Sequence, residues 1–482
     1  MAFELHRREF LGTVVAGSVL SLGAGPMTRA YAAPAIRGLI SPGARRSKVR
    51  VAKIYLGIPG ALWPTPKMGI KDEMRAYEGR FAERAQAFAD VDFVLNSLVS
   101  TLEEAKAAAA KLDDVDGVLA IHLSMGIMPL LKVILEARKP TVLYAAPYSG
   151  HEWTGFGDLR RQPLGAALEC MLTSDFGQME AAVRPFRAIH HLREAKILNV
   201  TARKPKAGYL NAIKERFGTE IIVVSRQQVL DAYEAADEAA AKAEAQRWIE
   251  GAEAVVEPSH EEIEKSCRLA LAFELLMDQE QATCITVDCY GSMYRKLPAF
   301  PCIGFTRLND MGLAGICESD LESAISFILL QALSGKPGFI SDPTVDESKD
   351  AIILAHCMGT TKMEGPDGPA CPYKLRSIME RQEGAVPQVR MDLNQKVTQI
   401  KLIGNDLLLY FTGDIIEAPD IHRGCRTKIT VRVDGDNEAL WQNWSHGLHR
   451  VTCYGDVVND LKRFCRFKGV QMLHEAGAAN FT

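Results

Sequence analysis

From residue 47 onward the chain alternates short, β-branched apolar runs with segments of helical period, and this alternation restricts the fold more than any other feature. SKVRVAKIYLGI (47–58), DVDFVLNSLV (90–99), DGVLAIHLS (116–124) and PTVLYAAPY (140–148) read as strands. Between them MGIKDEMRAYEGRFAERAQAF, LEEAKAAAAKL and MPLLKVILEA repeat apolar residues at helical spacing. Parallel neighbours need a long crossover, usually a helix, so strand–helix–strand units of this length predict a parallel sheet covered on both faces. That unit spans 47–170. A second one, 171–280, is built from REAKILNVT, a helix stopped by Gly218, TEIIVVS and two long helices at 227–250 and 259–279.

The last third, 281–475, changes character. After TCITVDCYG and a helix over SDLESAISFILLQALSG the text becomes strand-like in DAIILAHC, VTQIKLIGNDLLLYFTGDII and TKITVRVDGD. Gly404-Asn405-Asp406 between apolar runs is a hairpin signal. The expected fold class is α/β: two Rossmann-like (flavodoxin-like) parallel-sheet domains, then an α+β domain with a β-barrel-like portion. The tail beyond 475 reads as frayed.

The first residues read as a targeting segment. Arg7 and Arg8 precede a short glycine-rich apolar stretch and Ala30-Tyr31-Ala32, a small-x-small cleavage pattern. This predicts a twin-arginine signal over 1–32 and a periplasmic or extracellular protein. The apolar stretch is too short for a bilayer span, and no later segment is long and apolar enough for one. The net charge of −4 gives no basic footprint for nucleic acid or an anionic membrane. Ten of the 11 cysteines lie after residue 260, without a CxxC pair. That excludes a zinc finger and a small disulfide scaffold. Export of an already folded protein would reconcile many free thiols with an oxidising destination.

Chemistry concentrates where apolar runs end on metal-competent side chains. These are Asp288 after CITV, Glu318 and Asp320 after LAGIC, His356 after AIILA, and His446 and His449 in WSHGLHRVTCYGD. Acids and imidazoles at the ends of separate strands are what a metal-assisted site requires, since rigid elements must aim several ligands at one point. Structural readings stand beside these. Asp320 opens a helix and fits an N-cap, His356 fits a hydrogen-bonded core histidine, and one of His446 and His449 fits a structural role. His190-His191 reads as a surface or hinge pair. Arg423 and Arg426 in HRGCRTK fit either anion binding or structural ion pairs.

Taken in order, ITVDCYG, PCIGFTRLNDMGLAGICESDLESA, GFISDP, HCMGT, GCRTKITV and HGLHRVTCYGD resemble the C-terminal part of the L-fucose isomerase and L-arabinose isomerase superfamily. The resemblance covers about 280–470 in motif. It implies a homo-oligomeric aldose–ketose isomerase that acts on a small carbohydrate of fucose or arabinose type through a cis-enediol. It also implies Mn²⁺ or another divalent ion held by two carboxylates and a histidine. Carried over, Asp320 and His449 are ligands, and Asp288 supplies the third ligand. Asp288 and Asp320 are the catalytic acids, with Glu318, His356 and Arg426 as substrate contacts. The chain departs from the pattern at Tyr290, where fucose isomerases place a glutamate after the cysteine; Asp288 lies two residues earlier, on the same face of a straight strand. The departure keeps open a second reading, an exported carbohydrate-binding or sugar-modifying protein with an altered metal site, in which Trp63 or Trp153 stacks on a sugar ring. A nicotinamide-dependent sugar oxidoreductase is disfavoured, because YLGIPGALWP after the first strand lacks the G-x-G-x-x-G turn.

Overall fold

A computed structural model of the chain describes residues 47–477; the segment read as a twin-arginine signal and the last five residues lie outside the described residues. The fold is mixed α/β. The first sheet is parallel, with strands in the spatial order Val91–Val99, Val49–Leu56, Gly117–His122, Thr141–Ala145, Leu168–Leu172. Strand alternation divides its core in two. Ala52, Ile54 and Leu56 pack on one face, and Val49, Val51 and Tyr55 on the other. All six residues of Gly117–His122 are buried, which explains the uninterrupted apolar run in the sequence. The strand Leu168–Leu172 has no such run; LECML exposes part of its length and carries little periodic signal.

The second parallel sheet runs Ala314–Cys317, Cys284–Val287, Lys196–Val200, Glu220–Val224. Two of its strands precede residue 280 and two follow it, so the strand ending at Asp288 belongs to this sheet and not to the strand-rich region after it. The helix Met179–Glu194 joins the two sheets, with Met179, Ala182, Val183 and Phe186 in the first core and Ala188 and Leu192 in the second. His190 and His191, expected at a surface or hinge, lie inside this helix and are 1 % and 0 % exposed. His190 bonds Asp116 at 2.9 Å and pairs with Glu194 at 3.2 Å, so a buried ion network takes the place of the expected surface pair.

The C-terminal strands close into a six-stranded antiparallel barrel. Phe339–Asp346 pairs with Ala351–His356, then Thr427–Val433, Leu407–Glu417, Lys396–Ile403 and Arg450–Tyr454, which returns to Phe339–Asp346. Gly404-Asn405-Asp406 forms the expected hairpin, with Ile403 opposite Leu407 and Gly404 at φ +58°. Gln471–His474 adds in parallel to the strand Leu407–Glu417, and Glu475 behind it is fully buried against Arg450 at 2.7 Å. The helix Leu321–Ser334 lies between second sheet and barrel and is buried at every position from Ser323 to Leu333, as its apolar sequence requires. Among the described residues no helix is long and apolar enough to cross a membrane.

Candidate metal centre

Three chain segments meet where the second sheet faces the barrel. The strand Ala314–Cys317 ends in a turn whose Glu318 and Ser319 both take the left-handed conformation, at φ +63° and +58°. Left-handed non-glycine residues in succession cost about 1–2 kcal/mol each and concentrate at functional sites. Ser319 donates to Asn199 Oδ1 at 2.5 Å and pins the turn. Asp320 then caps the helix Leu321–Ser334, accepting from the Ser323 amide at 3.0 Å.

The barrel supplies the facing residues. Ser341 pairs with Arg450, and this antiparallel register sets Asp342 beside His449. His356 ends the neighbouring strand. His449 Nε2 lies 3.4 Å from Asp342 Oδ1 and 3.7 Å from Glu318 Oε2, and His356 Nε2 lies 3.8 Å from Glu318 Oε1. Behind the ring, His449 Nδ1 is 3.0 Å from Asp320 Oδ2, which Lys401 approaches to 3.7 Å. A carboxylate that accepts from Nδ1–H fixes the tautomer and leaves the Nε2 lone pair facing Glu318 and Asp342.

The electrostatics follow from this crowding. Burial raises the Glu318 carboxyl above its ordinary value, with Asp342, Asp320 and Glu380 adding to the rise and His449 opposing it. Burial likewise raises Asp342, again against His449. Asp320 is held well below the usual carboxylate range, its burial outweighed by the hydrogen bond from His449 and the charge of Lys401. Burial, and then the neighbouring His449, push His356 down to about 3, so its ring is neutral.

Asp342 Oδ1, His449 Nε2 and His356 Nδ1 are buried with no hydrogen-bond partner. Buried polar atoms are nearly always satisfied, and orphans of this kind mark an absent ion or water. Glu318, His356 and His449 offer donor atoms within 4.8 Å of one another. Oxygen and imidazole donors facing one point suit a hard or borderline divalent cation, and the residues present fit one.

Of the residues singled out in the sequence, the fold brings together Glu318, Asp320, His356 and His449. Asp320 lies on the Nδ1 side of His449, away from the orphaned Nε2. Asp288 is elsewhere: its carboxylate accepts from Thr201 at 3.1 Å and the Ser292 amide at 2.9 Å, and pairs with Arg203 at 3.2 Å. Arg426 is buried and donates to the Ser377 carbonyl at 2.7 Å and hydroxyl at 3.0 Å, with Glu257 at 3.4 Å. The Tyr290 hydroxyl donates to Glu380 at 3.2 Å. Sequence reasoning missed Asp342 and Lys401. Asp342 precedes a proline in GFISDP, a turn signature, and only the strand pairing reveals that it faces His449.

The chain is similar to a sulfoquinovose isomerase of Alkalicoccus urumqiensis, 23% identical over 319 residues that make up 60% of this chain and 68% of that protein. It is also similar to a sulfoquinovose isomerase of Clostridium sp. (strain MSTE9), 23% identical over 212 residues, 40% of this chain and 44% of that protein. No family model matches the chain. These similarities point to sugar isomerases and a small carbohydrate as the class of substrate.

Proposed function

We propose that this protein is a carbohydrate isomerase that interconverts an aldose and its ketose by moving a proton between adjacent carbons, with a divalent ion held by Glu318, Asp342 and His449. The observation that carries the reading is the pair of orphaned buried donors, Asp342 Oδ1 and His449 Nε2, facing each other across 3.4 Å with Glu318 alongside. When bound, the ion supplies a Lewis acid for the two oxygens of the sugar between which the carbonyl moves. Mn²⁺ suits two carboxylates and an imidazole.

The chain's own residues divide the remaining work. Glu318 is the group assigned to take the proton α to the carbonyl and return it to the neighbouring carbon. Its surroundings raise its proton affinity, and its side chain is one-third exposed. Asp320 holds the His449 ring. Neutral His356 borders the space in front of Glu318 and offers a hydrogen bond to a sugar hydroxyl. Asp288 and Arg426, whose polar atoms are engaged elsewhere, support the fold in this reading. The strand order of the first sheet supports the flavodoxin-like expectation for that domain. The division at 170, export through the twin-arginine segment, and a homo-oligomeric state belong to the same proposal. Eleven unpaired cysteines are compatible with export after folding.

Metal analysis with a sugar screen tests the proposal. One divalent ion per chain is expected, lost in Asp342→Asn and His449→Ala, with chelator-sensitive isomerisation of at least one aldose among fucose-, arabinose- and sulfoquinovose-type sugars. A chain that binds no ion after Mn²⁺ is added would overturn it.

A further inference from the structure

A second convergence of donor atoms lies at the end of the barrel. The register that sets His356 opposite Thr427 brings Cys357 and Cys425, just beyond this strand pair, to the same end of it. The hairpin loop between Tyr373–Arg376 and Val386–Val389 reaches over them and presents Glu380. Glu380 Oε2 lies 3.8 Å from Cys357 Sγ, and Glu380 Oε1 lies 3.3 Å from Cys425 Sγ. Tyr290, from the loop after the strand Cys284–Val287, completes the group, its hydroxyl 3.7 Å from Cys357 Sγ and 3.2 Å from Glu380 Oε2. One donor atom each from Cys357, Glu380 and Cys425 lie within 4.8 Å of one another.

A tetrahedral ion with bonds of about 2.0–2.3 Å holds its ligand atoms about 3.3–3.8 Å apart. A convergence within 4.8 Å reaches that spacing by small side-chain rotations. Cys357 is buried, Cys425 partly so, and Glu380 is exposed, which leaves a path for an ion from solvent. The loop is held in place independently, with Arg295 on Glu383 at 3.1 Å and the Arg381 guanidinium 5.0 Å above the Tyr290 ring.

We propose that Cys357, Cys425 and Glu380 form a binding site for a thiophilic divalent cation of the Zn²⁺ class, distinct from the oxygen- and nitrogen-lined centre, with its fourth position at the Tyr290 hydroxyl or a water. Binding is a ligand exchange without redox change: each thiol loses its proton to solvent, and the ion takes two thiolates and a carboxylate. Softness separates the two centres, since two thiolates select a zinc-like ion where two carboxylates and an imidazole suit Mn²⁺. The ion would clip the 377–385 loop onto the barrel beside Glu318 and Asp342.

Cobalt titration of the reduced full-length chain tests the site, because Co²⁺ bound to thiolate absorbs strongly in the near ultraviolet by charge transfer. The band is expected in the unmodified protein and displaced by Zn²⁺. It should be absent in Cys357→Ser and in Cys425→Ser, and shifted to higher cobalt in Glu380→Gln, which keeps both thiolates. It should persist in Asp342→Asn, which separates this site from the proposed isomerase centre. No band in the unmodified protein, or a band that survives in the doubly substituted Cys357→Ser/Cys425→Ser chain, overturns the proposal. So does recovery of a Cys357–Cys425 disulfide in a protein that takes up no cobalt after reduction.

Discussion

At the level of single residues, the site depends on which side of His449 each acid occupies. Asp320 holds Nδ1, so its removal should loosen the ring without deleting a ligand. Asp320→Asn keeps a competent helix cap but loses the charge that orients the imidazole. We expect it to weaken Mn²⁺ binding by about 10–100-fold, with little change in the unfolding midpoint, as calorimetric titration and urea denaturation would show. Full metal affinity in the variant would remove Asp320 from any positioning role. His190 supports a second prediction. Burial lowers its proton affinity, but hydrogen bonds to Asp116 and Glu194 outweigh this and raise its pKa to about 9. The folded state then holds the proton more tightly than the unfolded chain. The contribution is complete below the unfolded value of about 6.5 and is lost as pH rises through about 9. His190→Gln should therefore cost about 1–3 kcal/mol at pH 6 and clearly less at pH 9.5, read as urea midpoints of the two proteins at each pH. Much of the candidate site was legible at this scale: strand ends carrying Glu318, Asp320, His356 and His449 announce themselves. Asp342 did not, because its relation to His449 is a strand pairing between residues more than a hundred positions apart, and no local pattern encodes it. Asp288 looked equivalent to the others only because its satisfaction by Thr201, Ser292 and Arg203 is tertiary.

At the scale of elements, the turn between the strand Ala314–Cys317 and the helix Leu321–Ser334 does two things at once. It aims Glu318 into the centre and ends the strand in two left-handed residues that no local propensity favours. That strain can be measured by comparing two truncations. Glu318→Ala and Glu318→Gly both remove the carboxylate, but only glycine adopts φ +63° without penalty. The glycine variant should be more stable than the alanine variant by about 1 kcal/mol, while both lose metal binding; equal stabilities would mean the turn stores no strain. Elements encoded by a local pattern differ from those completed only by pairing. Gly117–His122 and the Gly404 hairpin are local patterns and were foreseen. The LECML strand was not, and neither was the membership of Cys284–Val287 in the second sheet, because both depend on which neighbour completes the pairing and not on the residues themselves.

At the scale of the whole molecule, the cores are unequal partners. The first sheet has its own apolar cluster on each face, while the second sheet, the helix Leu321–Ser334 and the barrel share one continuous cluster that runs from Ile197 and Ile285 to Ile400 and Val451. Glu318, Asp342 and His449 all lie on elements of that shared core. An ion bound to the native state stabilises whatever must open to release it, by about 4 kcal/mol at a thousandfold excess over Kd. Its effect should therefore be regional. Hydrogen exchange with and without Mn²⁺ is expected to show slower exchange in 314–320, Phe339–Asp346 and Arg450–Tyr454, and unchanged exchange in Val49–Leu56 and Gly117–His122. Asp342→Asn should abolish the difference everywhere. Slowing that extended equally into the first sheet would mean that the helix Met179–Glu194, which contributes side chains to both cores, couples them into one cooperative unit. The metal would then act on the stability of the entire chain and not on the barrel and its sheet alone.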